Sequence, residues 1–437
     1  MIFKYKDSNT DASLNFDINL EKNKNVYCFI GENAAGKTNL FENMAKSLIF
    51  SHSMFKNTNQ YQYSNIFWKE SIHEKLINLK FFLPSLIHIN DTEVKKDESC
   101  GRSYFKDIQN YNLNFVCDKP VVFIGAKNRG YAKNINNKHI KVLGNYGDSF
   151  NESFFKTYNY IVGNPVEDTD LAEWISSRLI INPRFVEPTD NRASEVNHCL
   201  ALIDKLESDT SQKISSFSEK EHCFTFSQGL LWLNNIPVHK LSTGYISIIK
   251  IFQDIINNFS AWTRLQNANF KTNNINDFEA IVFIDELESH LHPKWQHKFI
   301  PLLKELFPKT TFYIATHSPV IISTTNEGEA YELVRDGVDV TSKKLGNPKE
   351  WYLADIFSQA FHVNLNKSMS LSGRDDSDIS QMLKKFSILV KDYAVKKDNA
   401  IKKAAEELYE QILPSLSTDD PRRRSLDSLR SLVNEAN

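Results

Sequence analysis

Glycine is scarce in this chain, at 14 of 437 residues, and proline is no commoner at 13. That excludes collagenous and Gly/Pro-rich low-complexity architectures. Cysteine is scarcer still. The five are scattered at Cys28, Cys100, Cys117, Cys199 and Cys223, an odd number with no CxxC pair. Neither a disulfide framework nor a zinc ribbon is supported, and reduced thiols in a cytoplasmic protein are expected. No apolar run approaches the roughly 20 residues that cross a bilayer, so no membrane partner is expected. The N-terminal segment alternates apolar and polar residues and lacks the basic start and apolar core of a secretory signal. An excess of one charge is also missing. Lys and Arg number 52 against 54 Asp and Glu, a net charge of −2. The global basic excess of a nucleic-acid binder is therefore absent, although a local basic surface stays open. There is no internal repeat and no sustained heptad run, which excludes solenoids and long coiled-coil arms.

What is present is ordinary globular material, 41% hydrophobic and 24% charged. The length suits two or three structural units, or one elaborate domain with insertions. Residues 1–6 and 13–20 read as strands around the polar turn Asp7-Ser8-Asn9-Thr10. Val26-Tyr27-Cys28-Phe29-Ile30 is continuously apolar, as in a buried parallel strand. A helix follows from about Lys37, with Leu40, Phe41, Met44 and Leu48 on one face. Residues 55–65 read as a polar loop, and 70–165 show a mixed pattern. A helix is expected over 193–207, a hairpin over 224–238 around Asn234-Asn235, and an amphipathic helix over 244–256. Residues 280–284 and 311–316 read as two more buried strands. The tail from 376 onward is helical, with a break at Pro414 and a new start at Asp420-Pro421.

Gly31-Glu32-Asn33-Ala34-Ala35-Gly36-Lys37-Thr38 fits the pattern GxxxxGK[ST], with a strand before it and a helix after it. Backbone N–H groups and the helix N-terminus of such a loop cradle phosphates. Lys37 would reach the β- and γ-phosphates of ATP, and the Thr38 hydroxyl would ligate Mg²⁺. Ile281-Val282-Phe283-Ile284-Asp285-Glu286 is an apolar strand ending in two carboxylates. Asp285 suits a Mg²⁺ contact. Glu286, expected to point the other way, suits polarising the attacking water. Leu241-Ser242-Thr243-Gly244-Tyr245 opens a helix with Ser242 as its N-cap. Thr316-His317-Ser318-Pro319 ends the next buried strand, and places His317 on the side of the sheet where ligands gather. His290, His292 and His297 lie close in sequence, but Pro293 interrupts them and their spacing does not put three metal ligands on one face.

In order and kind these four elements resemble the ATP-binding cassette ATPases of the structural-maintenance, RecF and OLD type. By that resemblance Gly31–Thr38 is the Walker A loop, Leu241–Tyr245 the signature and Ile281–Glu286 the Walker B strand, and the similarity covers about residues 1–50 and 225–330. It implies an α/β fold: an ABC-ATPase-like P-loop head with a mixed β-sheet, an inserted helical lobe and an α-helical C-terminal tail. The head is expected over 1–365, with the lobe at about 150–225, and the tail over 366–437. The resemblance assigns residues 31–38 to ATP binding, Glu286 as the base, and His317 as the residue that holds the γ-phosphate. It also implies a dimer or higher homo-oligomer in which Ser242 and Gly244 touch the nucleotide of the other protomer. Ser289-His290-Leu291-His292 stands in the place of the family's D-loop. Two departures stand out. Ala34 occupies a usual glycine position, and Gln60, Gln62 and Gln109 all remain candidates for the Q-loop glutamine.

The span from Thr38 to Leu241 is too short for the arms of chromosome-structural ATPases. Asp336, Asp339, Asp375, Asp376 and Asp378 follow the head, but no apolar strand ending in the acids of a Toprim nuclease is expected over 330–437. The motif set, with its Leu-His-Pro ending and helical tail, is similar to the ATPase subunits of bacterial anti-phage systems of the Septu and retron types. That implies a regulatory ATPase acting with a separate HNH-type nuclease subunit. A RecF-like DNA-repair ATPase and a nucleotide-sensing scaffold are the alternatives. Arg422-Arg423-Arg424 reads as a solvated helix start, with phage DNA as the other candidate contact.

Overall fold

A computed structural model describes residues 2–6, 14–50, 86–89, 92–95, 117, 119–126, 129–130, 146–161, 171–179, 192–208, 223–227, 230–266, 275–363, 376–415, 423 and 426–431. The chain divides into two compact units, Met1–Ile356 and Phe357–Asn437. The sequence-based boundary stood at 365.

The first unit opens with β1 (Ile2–Lys6), β2 (Asn15–Asn19) and β3 (Val26–Ile30), followed by helix α1 (Lys37–Phe50). Next come β4 (Leu86–Ile89), β5 (Thr92–Lys95) and β6 (Val121–Ile124). Three lobe helices follow, α2 (Tyr146–Ile161), α3 (Leu171–Leu179) and α4 (Ala193–Ser208). A separate three-stranded sheet comprises β7 (Phe224–Ser227), β8 (Leu230–Leu233) and β9 (Ile236–Pro237). Helix α5 (Thr243–Gln266), β10 (Ile281–Ile284), α6 (Pro293–Leu306), β11 (Thr311–Ala315) and the short α7 (Pro319–Ile322) carry the remaining motifs. The unit closes with β12 (Ala330–Asp336) and β13 (Asp339–Lys344), and the division falls within α8 (Leu353–Ala360).

Ten strands form one mixed sheet in the order β5-β4-β1-β2-β13-β12-β3-β11-β10-β6. Its last five strands, β12 to β6, are all parallel to one another. Parallel strands end on the same edge, so every loop that leaves β3, β6, β10 and β11 emerges together. One face of this half is held by an aromatic ladder. Tyr27 lies opposite Tyr313, which lies opposite Phe283, which lies opposite Phe123, with ring centroids 5.2, 5.0 and 6.1 Å apart. Such pairs contribute about 0.5–1.5 kcal/mol each beyond their burial. Phe41 of α1 packs edge-on against Phe29 and tilted against Phe283, which seats the helix on the ladder.

Several sequence expectations change here. Residues 224–238 form three strands rather than one hairpin. Asn234-Asn235 turns β8 into β9, with Asn234 at φ 51°, while a second connection joins β7 to β8. Helix α5 runs ten residues past its expected end and is buried all round, not amphipathic. Ile246 and Ile251 are as buried as Ile249 and Phe252. The reason is its place in the core, packed by Phe252 on Phe299 of α6 and by Phe259 on Phe278. From residue 330 the chain adds two more strands to the large sheet. The first is β12, whose first four residues are buried and whose last, Asp336, faces Asp339 across the turn into β13. Pairing with β3 makes this strand part of the head sheet. Gln60, Gln62, Gln109, the loop at 55–65 and Arg422 lie outside the described residues.

The second unit contains α9 (Asp376–Lys396) and α10 (Asn399–Ile412). The break between them falls at residues 397–398, where Lys397 adopts φ 49° and Asp398 caps α10 through Ala400 N–H at 2.8 Å. Phe386, Val390, Tyr393, Ala405, Tyr409, Ile412 and Leu426 form a core of its own.

Candidate functional site

The loop after β3 turns sharply into α1. Ala34 and Gly36 take φ 68° and 90°. A side chain at Gly36 would also place its Cβ 2.7 Å from Leu14, so glycine is required there twice over. Arg335 of β12 reaches across to donate to the Ala34 carbonyl at 2.8 Å, holding the loop from outside. Lys37 is buried, and its ammonium donates to the carbonyls of Gly31 and Glu32 at 2.8 and 3.2 Å. Burial pushes its pKa below the usual lysine value, while Asp285, Glu288 and Glu286 oppose that. Glu32, Asn33 and Ala34 are exposed at the mouth of the loop, and Ala35 is buried beneath it.

Thr38, the second residue of α1, donates its hydroxyl to Asp285 Oδ2 at 2.8 Å. The two residues lie 247 positions apart in sequence and are brought together by the order β3-β11-β10. Asp285 is buried. Burial raises its pKa and the Thr38 hydrogen bond works against that rise. The donor set fits Mg²⁺: a hydroxyl and a carboxylate, both hard oxygens, beside a lysine suited to phosphate. Magnesium takes one or two protein oxygens and completes its shell with water and phosphate. Among the described residues no group of three or more His, Cys, Asp or Glu could hold a metal by itself.

Strand β10 ends at Ile284, so strand alternation does not set the direction of Glu286. A left-handed turn does that, with Glu286 at φ 46° and its side chain exposed. Ser289 Oγ donates to the Glu286 carboxylate at 3.1 Å. Glu288 points to the neighbouring strand end. Its carboxylate accepts from Thr316 Oγ1 at 2.6 Å and from the His317 backbone N–H at 2.5 Å. Ser318 donates its hydroxyl to Gln296 Oε1 at 2.6 Å and caps α7. Thus the loop bearing His317 is tied to the turn bearing Glu286. His317 itself is exposed at the edge of the sheet. His292 is an N-cap: its Nδ1 accepts from Lys294 N–H at 3.2 Å at the start of α6.

Ser242 caps α5, accepting from Tyr245 N–H at 3.4 Å, and is exposed. Gly244 is buried. A Cβ there would meet the His290 carbonyl at 2.7 Å. Ser247 Oγ donates to the Ser289 carbonyl at 3.2 Å. The signature segment therefore packs directly on the loop over residues 289–292.

Two site residues were not singled out from the sequence. Glu288 carried a signal, as the third acid in Asp285-Glu286-Leu287-Glu288. Arg129 carried none of its own. It follows β6, whose Val121-Val122-Phe123-Ile124 run repeats the apolar pattern of β3 and β10. Only the pairing of β6 with β10 brings it to the site. Arg129 is 2% exposed, and one terminal nitrogen donates to the carbonyl of Asp285 at 2.8 Å and to that of Glu286. Burial lowers its pKa, with Asp285, Tyr160, Glu288 and Glu286 opposing.

Fold and site together are those of an α/β head with a phosphate-loop pattern beside an acid-tipped strand, similar to P-loop ATPases of the ABC type. Comparison with known proteins narrows the class. The family model described as "AAA domain, putative AbiEii toxin, Type IV TA system" matches residues 263–323, which hold the Walker B strand and the His317 loop. The chain resembles the Septu protein PtuA of Bacillus thuringiensis, at 27% identity over 220 residues covering 47% of this chain and 51% of that protein. It is 32% identical over 128 residues to the retron Ec83 probable ATPase of Escherichia coli, covering 29% of this chain and 22% of that one. The matched region thus spans about half the length of PtuA and less of the retron protein. Among solved structures, an SMC head bound to the C-winged helix domain of ScpA aligns with 80% of this chain and 99% of its own, at TM-score 0.37 and 11% identity. Among the described residues no helix is long and apolar enough to cross a membrane.

Proposed function

We propose that this chain is the ATP-binding and ATP-hydrolysing regulatory subunit of a bacterial anti-phage defence complex, acting in the cytoplasm with a separate nuclease subunit of HNH type. The observation that carries the nucleotide part is the Thr38–Asp285 contact at 2.8 Å beside buried Lys37. The names of the similar proteins, a Septu protein and a retron ATPase, support the defence part.

In this reading the backbone of residues 31–38 and Lys37 hold the triphosphate, and Thr38 and Asp285 hold Mg²⁺. When bound, the ion would supply positive charge that offsets the charge of the phosphates. Glu286 orients the attacking water and accepts its proton. His317 contacts the γ-phosphate from the end of β11. Ser242 and Gly244 present the N-terminus of α5 to the nucleotide of a second head, so two chains close over two ATP molecules.

The Glu286→Gln variant tests the hydrolytic role. It should retain ATP binding and lose turnover by about 10²- to 10⁴-fold, the usual contribution of a general base. ATP binding by equilibrium dialysis and phosphate release measure the two separately; turnover equal to wild type would reject the assignment. Co-purification with the product of the adjacent gene, with and without ATP, tests the partner. Failure to recover a nuclease under either condition would reject that part of the reading.

A further inference from the structure

The loop after β6 supplies a cation to the turn that carries Glu286, and no motif accounts for it. Arg129 is almost fully buried, where a guanidinium costs several kcal/mol to desolvate unless its bonds are well used. Its hydrogen bonds among the described residues go to two successive carbonyls, those of Asp285 and Glu286. Its Nε and the other terminal nitrogen have no acceptor there. Among the described residues no carboxylate captures it in an ion pair, although Asp285, Glu286 and Glu288 all contribute to the potential around it. Its observed bonding is thus concentrated on the backbone of one strained turn.

That turn needs holding. Glu286 stands at φ 46°, a left-handed conformation that disfavours side chains with a Cβ by roughly 1–2 kcal/mol. Two neighbouring carbonyls that converge on one nitrogen are in electrostatic conflict unless a cation sits between them. Lysine would bring charge, but on a flexible stem, without the rigid planar guanidinium that sets the direction of both N–H bonds of that one nitrogen. The adjacent Gly130 closes the arrangement, since a Cβ there would lie 2.8 Å from the His290 ring. The cation and the loop over residues 289–292 are therefore packed as one piece.

We propose that Arg129 is a positioning residue for hydrolysis: it clamps the Asp285–Glu286 turn so that the Glu286 carboxylate is aimed at the water beside the γ-phosphate. This rests on the ATPase reading above. Arg129 acts through Glu286 and does not itself hold the nucleotide. Removing it should lower kcat and leave ATP affinity unchanged.

The test compares full-length Arg129→Ala and Arg129→Lys with wild type in steady-state ATP hydrolysis, ATP binding and thermal melting. Arg129→Ala should lose about 10²-fold in kcat, the cost of a small misplacement of a reacting group, with ATP affinity at the wild-type value. Arg129→Lys should fall between the two. Millimolar guanidinium salt should restore part of the activity of Arg129→Ala and none in Arg129→Lys or wild type. Wild-type kcat in both variants would overturn the inference and leave the proposed ATPase standing. A loss of kcat matched by loss of ATP affinity and melting temperature, without guanidinium rescue, would show a purely structural residue and also overturn it. A wild-type chain whose ATP turnover is independent of Glu286 would overturn the inference together with the reading beneath it.

Discussion

Ala34 shows how far the identity of a site residue can be read locally. Its place in the GxxxxGK[ST] pattern marks a phosphate loop, and its φ of 68° shows why glycine is usual there. The Arg335 bond to its carbonyl helps to hold this left-handed residue. Ala34→Gly should therefore cost nothing and raise stability by up to about 1 kcal/mol, the left-handed strain removed less the added chain entropy. Urea unfolding would check this, and a fall in the midpoint would contradict it. Lys37, Thr38 and Asp285 were legible in the same way, because phosphate loops and Walker B strands are short contiguous patterns. Glu288 and Arg129 were not. Their importance lies in what they touch, the His317 backbone 29 positions away and the Glu286 carbonyl 157 positions away. Glu286 lies two residues past the end of β10 at positive φ, so the turn and not strand periodicity sets its placement.

Helix α5 is the element whose character changed most between sequence and structure. Its stripe of Tyr245, Ile248, Ile249, Phe252, Ile255 and Ile256 predicted one buried face. The other faces are buried as well, and the lobe covers part of them through polar bonds. Trp174 Nε1 and Arg178 both donate to Asn257, at 2.6 and 3.0 Å. Ser260 donates to Glu195 at 2.6 Å, and Lys156 pairs with Asp254 at 2.5 Å. The buried Arg178–Glu195 pair, 2.6 Å apart, joins α3 to α4 at the centre of this network. Breaking a buried pair leaves an uncompensated charge, so Glu195→Ala should destabilise the chain by about 3–5 kcal/mol. Burial, the largest single influence on Glu195, raises its pKa, but Arg178, the Ser260 bond and Arg192 together bring it below the ordinary 4.5. A carboxylate with a lowered folded-state pKa contributes stability above its unfolded value and loses it as pH falls through the folded one. The advantage of wild type over Glu195→Ala should therefore be full above about pH 4.5 and shrink below it. Melting curves of both proteins across pH 3–7 would show this; parallel curves would contradict it.

At the scale of the whole molecule, five parallel strands gather the site and a second unit follows with its own core. The net charge of −2 suits the proposed function, in which the main anion site would hold a triphosphate on Lys37 and backbone N–H groups. The exposed N-cap Ser242 stands at the head of a helix that Gly244 brings against the His290 carbonyl, and on the proposed function it would meet another head. Ser242→Arg should block ATP-driven pairing while leaving ATP binding to each head intact. Sedimentation velocity with and without ATP, in the Glu286→Gln background, measures this directly; a variant that still pairs on ATP would count against the shared site. The sequence by itself determined the phosphate loop, the acid-tipped strand, the signature and the histidine strand end. Each is a local pattern, recognisable from residues that are adjacent in the chain. It also determined the α/β class, because buried parallel strands are continuously apolar. Tertiary structure alone decided that β6 lies beside β10, that β12 joins the head sheet, and that α5 is enclosed on every side. Strand order and helix burial depend on residues hundreds of positions apart, and no local pattern encodes which distant segment completes a sheet edge. That is why Asp285 could be named from the sequence, while Arg129, which holds it in place, could not.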